Sequence, residues 1–375
     1  MKLLICPDSF KGCFTSLEGS KIIKNVFKKY FPESTPILFP LADGGEGSIE
    51  VLNKFIKGKF VFIESSDPLG RKIKTKYLKK GKAVYIELAK EAGLTFLKEE
   101  ERNPLETTTY GVGEVILRAI EDGCENISIF VGGSATNDAG IGALSAIGVK
   151  FFDEKGKTIF PGKGKDLVKI RGTDISSVDK RIFNIKFTIL TDVKNPLYGK
   201  NGASYIYAWQ KGANSKEVKI LDDGLRNFSF VLKKFTGKDV SRIKGAGAAG
   251  GFASGFISIF NSKIESGIEL ILKKGNFKEK IKNCDFVITG EGKFDKQSFF
   301  GKVVGVVIEY CKKYKVPVII LAGTVERNIY KKINEENIIV MSILPGFLSH
   351  DEAMKEGKKL LKIKAQQIFK LLKFK

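Results

Sequence analysis

Leu3-Leu4-Ile5-Cys6 is a short apolar run, and Pro7-Asp8-Ser9-Phe10-Lys11-Gly12 follows it. Thr15-Ser16-Leu17-Glu18 then supplies a capping box, with Ile22, Ile23, Val26, Phe27 and Tyr30 on one face of the helix it opens. A strand that feeds a polar loop and then a capped helix is the repeating unit of a parallel α/β layer. The same order recurs outward from this stretch. Residues 37–41 run into Ala42-Asp43-Gly44-Gly45-Glu46-Gly47, and Ile49, Val51, Leu52, Phe55 and Ile56 mark the next helix. Residues 127–131 run into Gly132-Gly133-Ser134-Ala135-Thr136-Asn137-Asp138, and 187–190 into Thr191-Asp192-Val193-Lys194-Asn195-Pro196. Residues 286–288 run into Thr289-Gly290-Glu291-Gly292-Lys293-Phe294-Asp295. Further strands are expected at 316–321 and 338–343. A second capping box, Ser349 to Glu352, opens a last helix whose Leu360, Leu361, Ile363, Ile368, Leu371 and Leu372 are expected to face the core. From residue 60 the pattern changes to short strands joined by turns, at 60–63, 73–77 and 83–88, before helices expected at 105–120 and 141–147. The reading is an α/β fold. One parallel-sheet layer is built from both chain ends, residues 1–59 with 286–375, and a second α/β domain, 60–285, is inserted between them.

The composition fits two domains and narrows the chemistry. The chain has 375 residues, 43% hydrophobic and 28% charged, which is globular and too long for one ordinary core. No apolar run reaches the ~18 residues of a membrane span. The apolar start is too short for a signal peptide, and Asp8 interrupts it, so a cytoplasmic protein is expected. The five cysteines, at 6, 13, 124, 284 and 311, form no CxxC pair, as expected of reduced thiols. His350 is the only histidine. Ser-His-Asp catalysis, phosphohistidine transfer and multi-histidine metal sites are thereby excluded, and acid–base work falls to Asp, Glu, Lys or Tyr. The formal net charge is +22, but only 8 of the 64 basic residues are arginine. Lysine spread along helix faces reads as a solvated surface, not a nucleic-acid footprint or a membrane-binding face.

In open α/β sheets, ligands bind beyond the carboxyl ends of the strands. Glycines there let backbone N–H groups approach an anion. Carboxylates beside such a nest would repel phosphate unless they hold a cation or a proton. Five loops of interleaved glycine and carboxylate are therefore what a Mg²⁺–nucleotide site requires. Two familiar scaffolds are ruled out: no GxxxxGK[ST] occurs, and there is no histidine for a protein-kinase catalytic loop. Gly245-Ala246-Gly247-Ala248-Ala249-Gly250 matches GxGxxG, but it follows the charged stretch 238–244 and not a strand. It reads as a helix-packing or substrate loop, not as a dinucleotide fingerprint.

These segments, in this order, resemble the bacterial glycerate kinase family. The resemblance rests on 7–12, 42–47, Asp67-Pro68-Leu69-Gly70-Arg71, Glu101-Arg102-Asn103-Pro104-Leu105 with Thr107-Thr108-Thr109-Tyr110-Gly111, and 132–138. It continues through Asp192 to Leu197, Gly245 to Gly251, and Gly290-Glu291-Gly292 with Asp295 and Gln297. It implies ATP-dependent phosphorylation of D-glycerate, on the 2-hydroxyl more than the 3-hydroxyl. It also implies two α/β domains, one Rossmann-like and one flavodoxin-like. Lys293 and Phe294 stand where the family usually has Arg and a small aliphatic, Ser298 where it often has Thr, and Ala139 where Gly is common.

Phosphoryl transfer needs a hydroxyl in line with the γ-phosphate and a carboxylate to accept its proton. Asp192 is the first expectation for that base and Asp8 the second. Lys11 is expected to neutralise the transferring phosphate oxygens. Asp43, Glu46, Glu291 and Asp295 are the candidates for Mg²⁺, directly or through water. Gly132, Gly133 and Ser134 are expected to cradle phosphate, with Asn137, Gly44, Gly45, Gly290 and Gly292 in the same binding loops. Arg71 is expected to clamp the glycerate carboxylate. The alternatives are a kinase of another small hydroxy acid and a nucleotide-binding protein without turnover.

Overall fold

The computed structural model describes residues 1–299, 302–330 and 336–374. The chain forms two compact units. The first comprises Met1–Asp43, Glu50–Ile56 and Ile268–Lys375, and the second Gly44–Ile49 and Lys57–Gly267.

The first unit is built on a five-stranded, wholly parallel sheet. Its strands lie in the order Ile338–Ser342, Val318–Val325, Phe286–Phe294, Leu3–Ile5, Ile37–Leu38. Thr15 caps Ser16–Tyr30 as the sequence predicts, and Ser349 caps His350–Lys373. These two helices cover one face: Phe27 meets Phe369 edge to face at 5.1 Å, over Leu3, Ile5 and Ile288. Leu360, Leu361 and Ile368 are buried there, whereas Ile363 and Leu371 point to solvent. At about 100° per residue Ile363 falls outside the stripe that Leu360, Leu361 and Ile368 define, whereas Leu371 falls within it and is exposed in the last turn of the helix. Phe277, on the helix Phe277–Lys282, packs edge to face on Phe39, which also stacks near Phe55.

One expectation is corrected here. The 289–295 segment is not a loop: the strand continues to Phe294, paired through Glu291↔Ala322 and Lys293↔Thr324. Gly290 permits this, since a Cβ there would stand 2.1 Å from Leu321 O. Phe294, where the family usually has a small aliphatic, is fully buried against Phe299.

The second unit carries a mixed six-stranded sheet. Lys263–Glu265, Lys186–Leu190, Asn126–Phe130 and Ala83–Glu87 are parallel neighbours, and Lys72–Lys80 and Lys59–Ser66 extend the edge antiparallel. Val84, Ile86, Ile127, Ile129, Phe187 and Ile189 point into a core closed by Phe252 and Phe256. The helix expected from 105 begins only at Tyr110. Before it, Thr107 donates to Ala135 O at 3.0 Å, and Thr109 N and Oγ1 donate to Asp138 at 2.8 and 2.7 Å. Threonines that find loop partners of this kind favour the pre-helical backbone. The helices Ser215–Thr236 and Ala248–Phe260 and the edge strand Lys263–Glu265 were not expected from the sequence.

Candidate active site

In the first unit the strand ends assemble a cavity of about 450 Å³. Asp8 follows strand Leu3–Ile5, and its N–H continues the ladder to Gly290 O at 2.8 Å. Residues 10–14 then close a tight turn: Phe10 N donates to Phe14 O, the two rings stack at 4.4 Å, and Gly12 takes φ +76°. That turn carries Lys11 at its tip. Lys11 Nζ lies 2.5 Å from Asp43 Oδ2. Glu291 enters from the extended strand, flanked by Gly290 and Gly292, which put backbone and no side chain beside it.

The electrostatics of this cluster are uneven. Asp8 is 5% exposed, and burial pushes its carboxyl well up; Asp43 and Glu291 add to that, while the Ser9 N–H and Lys11 oppose it. Glu291 is raised to about 7, chiefly by burial, with the Ser298 hydroxyl and Lys302 opposing. Lys11 is raised, first by Asp43. Glu291 Oε1 is buried without a hydrogen-bond partner. Asp295 lies 3.8 Å from Lys293 Nζ and 4.0 Å from Lys302 Nζ, two lysines that line the cavity. The far wall is apolar: Phe10, Phe14, Ile343, Leu344 and Met354 line it, with His350 nearby. Among the described residues no group of three or more His, Cys, Asp or Glu side chains could hold a metal ion. Asp43, Glu46, Glu291 and Asp295 therefore do not form a ready cage.

In the second unit two glycine loops interlock. Gly132 N donates to Gly44 O at 2.9 Å, and a Cβ on Gly132 would stand 2.6 Å from Gly45 N. Gly47 N and Ile49 N donate to the buried carboxylate of Glu87 at 3.0 and 3.2 Å, closing the N-terminus of helix Ser48–Ile56. Glu46 is exposed and accepts from Thr95 Oγ1 at 2.9 Å. Ser134 Oγ accepts from Lys211 Nζ at 2.8 Å. Asn137 is fully buried; its amide donates to Ser204 Oγ at 3.3 Å, and its Oδ1 has no partner. Asp138 is a loop-closing group that accepts from Thr109, Gly140 and Gly142. Asp192 stands just past strand Lys186–Leu190 and accepts a hydrogen bond from the Ser266 hydroxyl.

The glycine run 245–250 is a packing device. A Cβ at Gly247 would stand 2.2 Å from Pro196 O, and one at Gly250 2.3 Å from Thr136 O. It ties the 132–138 loop to the 192–196 loop, in keeping with the sequence reading. Ala139, where the family commonly has Gly, sits at φ +53°, the left-handed region that glycine enters without strain. Arg71 is committed within its own unit: Nε donates to Asp67, Nη1 to Glu101 at 2.7 Å and Nη2 to Phe96 O at 3.1 Å. Lys211, Ser266 and Glu87 went unmarked by the sequence. Each lies far along the chain from the loop it serves, in a stretch with no motif of its own.

Strand-end loops in which glycines alternate with carboxylates, each following a strand with parallel neighbours, define an open α/β ligand-binding protein. Comparison with known proteins narrows this class to one family. The profile of the glycerate kinase family matches residues 3–373. The glycerate kinase of Halalkalibacterium halodurans is 40% identical over 369 residues, covering 98% of this chain and 97% of that one. The glycerate 2-kinase of Escherichia coli K12 is 38% identical over 358 residues, covering 95% and 93%. A solved Salmonella typhimurium LT2 chain, assigned as glycerate kinase 2, superposes with a TM-score of 0.81 at 34% identity, covering 100% of this chain and 98% of that one. The chain belongs to the glycerate kinase family. Among the described residues no helix is long and apolar enough to cross a membrane.

Proposed function

We propose that this protein transfers the γ-phosphoryl group of ATP to the 2-hydroxyl of D-glycerate, giving 2-phosphoglycerate, in the cytoplasm. The observation that carries the reading is family membership along nearly the whole chain, joined to a lysine–carboxylate cluster at the parallel strand ends. The 38% identity to a glycerate 2-kinase favours the 2-hydroxyl. The 450 Å³ cavity lies within the ~300–1,000 Å³ of ligand pockets, and its apolar wall suits a nucleoside beside charged phosphates.

In this reading Lys11 offsets charge on the transferring phosphoryl oxygens, and Asp43 holds its ammonium in place. Asp192 takes the proton from the attacking hydroxyl, oriented by its hydrogen bond from Ser266. Asp8, whose carboxyl burial makes more basic than an ordinary aspartate, is the second candidate for that base. Gly132, Gly133 and Ser134 receive an anionic oxygen of the substrates. The orphaned Glu291 Oε1 suits a cation, so Glu291 is the proposed direct ligand of Mg²⁺, with Asp43 and Asp295 acting through bound water. Mg²⁺ keeps waters and needs only one or two carboxylates beside substrate phosphates, which fits a site without a cage. When bound, it supplies neutralising charge to the phosphate oxygens.

The test is ADP release by purified protein with Mg²⁺ and ATP, with and without D-glycerate, and with tartronate and lactate in parallel. The proposal expects release only with D-glycerate. Equal release without any acid would sink the kinase reading, and preference for another acid would reassign the substrate.

A further inference from the structure

Beneath the 132–138 loop lies Lys211, the last residue of the short turn Trp209–Lys211. It is 2% exposed, and lysine is almost never so buried unless paired. Its Nζ donates to Ser134 Oγ at 2.8 Å and to Thr136 O at 2.6 Å. Both acceptors are neutral. Asp138 is the carboxylate that acts on it electrostatically, but the oxygens of Asp138 are already taken up by Thr109, Gly140 and Gly142. Lys211 is held from behind as well: Gly212, at φ +96°, packs so closely that a Cβ there would stand 2.0 Å from Arg102 O.

A buried ammonium hydrogen-bonded only to neutral oxygens has no carboxylate in contact to balance it, Asp138 acting from a distance. A serine oxygen that accepts from an ammonium keeps its own single proton to give elsewhere. Ser134 is 7% exposed, and Gly133 beside it is open to solvent. Thr136 Oγ1 and Asn137 Oδ1, in the same loop, are buried without partners. We propose that Lys211 is a positioning residue for an anion bound over the 132–134 loop. It turns the Ser134 hydroxyl outward to donate to a phosphate or carboxylate oxygen, and supplies the positive charge beneath it. Burial lowers the Lys211 ammonium to about 7, outweighing the pull of Asp138; an anion above it favours the charged form. The inference rests on the kinase reading for what the anion is, not for its existence.

The experiment titrates wild type, Lys211→Met, Ser134→Ala and the double variant with ATP and with D-glycerate by calorimetry, and measures kcat and KM and the thermal midpoint. Both single variants are expected to weaken the loop's anion by ~10-fold or more, the size of one charge-assisted hydrogen bond. The double variant should be no worse than Lys211→Met, and Lys211→Met should not melt earlier than wild type. A loss in ATP affinity assigns the anion as phosphate; a loss for D-glycerate alone assigns it as carboxylate. Unchanged affinities and kinetic constants overturn the proposal, as do losses that multiply in the double variant or that track a lowered midpoint. If Lys211→Met fails to fold, Ser134→Ala decides, since wild-type constants in that variant also overturn it. The binding arm needs no turnover, so an inactive wild type would sink the kinase reading while leaving this test intact.

Discussion

Lys11 Nζ and Asp43 Oδ2 meet at 2.5 Å across two loops that are 32 residues apart in sequence, with the Lys11 side chain 74% exposed and Asp43 only 24%. The lysine is thus anchored at its charged end while its stem stays free to follow a ligand. Lys11→Met is expected to cut kcat by ~10²-fold or more, as loss of charge stabilisation in the transition state does. It should also raise the Kd for ATP, because part of that charge is present in the ground state. Asp43→Asn should lower kcat less, since the ammonium remains. Steady-state kinetics with nucleotide titration check both; a Lys11→Met enzyme of normal kcat and Kd would make that lysine one more surface cation.

Asp192 and Asp8 are separated by one comparison. Asp192→Asn keeps the shape and the Ser266 contact but cannot take a proton. A general base is typically worth ~10²–10⁴-fold, so kcat should fall by that factor with ATP affinity little changed. If Asp192→Asn keeps more than a tenth of wild-type kcat while Asp8→Asn loses activity, the base is Asp8.

Two buried charges should give opposite pH signatures in stability. Glu291 is raised from 4.5 to about 7, so the folded state binds the extra proton. Its contribution is full below pH 4.5 and is lost as pH rises through 7, and the advantage of Glu291→Gln over wild type should grow across that window. Lys211 is lowered from 10.5 to about 7, so the unfolded state binds the extra proton. Wild-type stability from this group should rise between pH 7 and 10.5, and the advantage of Lys211→Met should be largest below 7 and fade above it. Tenfold in proton affinity is worth about 1.4 kcal/mol, so each effect should be resolvable in chemical denaturation at several pH values. Parallel curves for variant and wild type would contradict the burial argument.

Gly250→Ala tests the packing role of the glycine run. The position has φ +66°, and a Cβ there would stand 2.3 Å from Thr136 O. A left-handed alanine and an overpacked contact together should cost roughly 2–5 kcal/mol. Denaturant melts should show it, and a variant as stable as wild type would remove the constraint on the 132–138 loop.

The α/β class, most strand positions and both capping boxes were legible in the sequence because each rests on local chemistry: short apolar runs, Thr15 with Glu18, Ser349 with Glu352. The loops themselves were legible as glycine interleaved with carboxylate. What was not legible depends on partners distant in the chain. Residues 289–294 read as a loop from their glycines, yet pairing with 320–325 makes them strand. Thr107 to Thr109 extend a helical pattern that their bonds to Ala135 and Asp138 override. Lys211 looks like any other lysine of this basic chain until Ser134 and Thr136 are found above it.

The most direct test of the central claim is ³¹P and ¹H NMR of the product formed from ATP, Mg²⁺ and D-glycerate by the purified full chain. The account predicts one new phosphate monoester, with its phosphorus coupled to the C2 proton, and stoichiometric ADP. Coupling to the C3 protons would move the reaction to the other hydroxyl, and no glycerate-dependent phosphate ester at all would contradict the account.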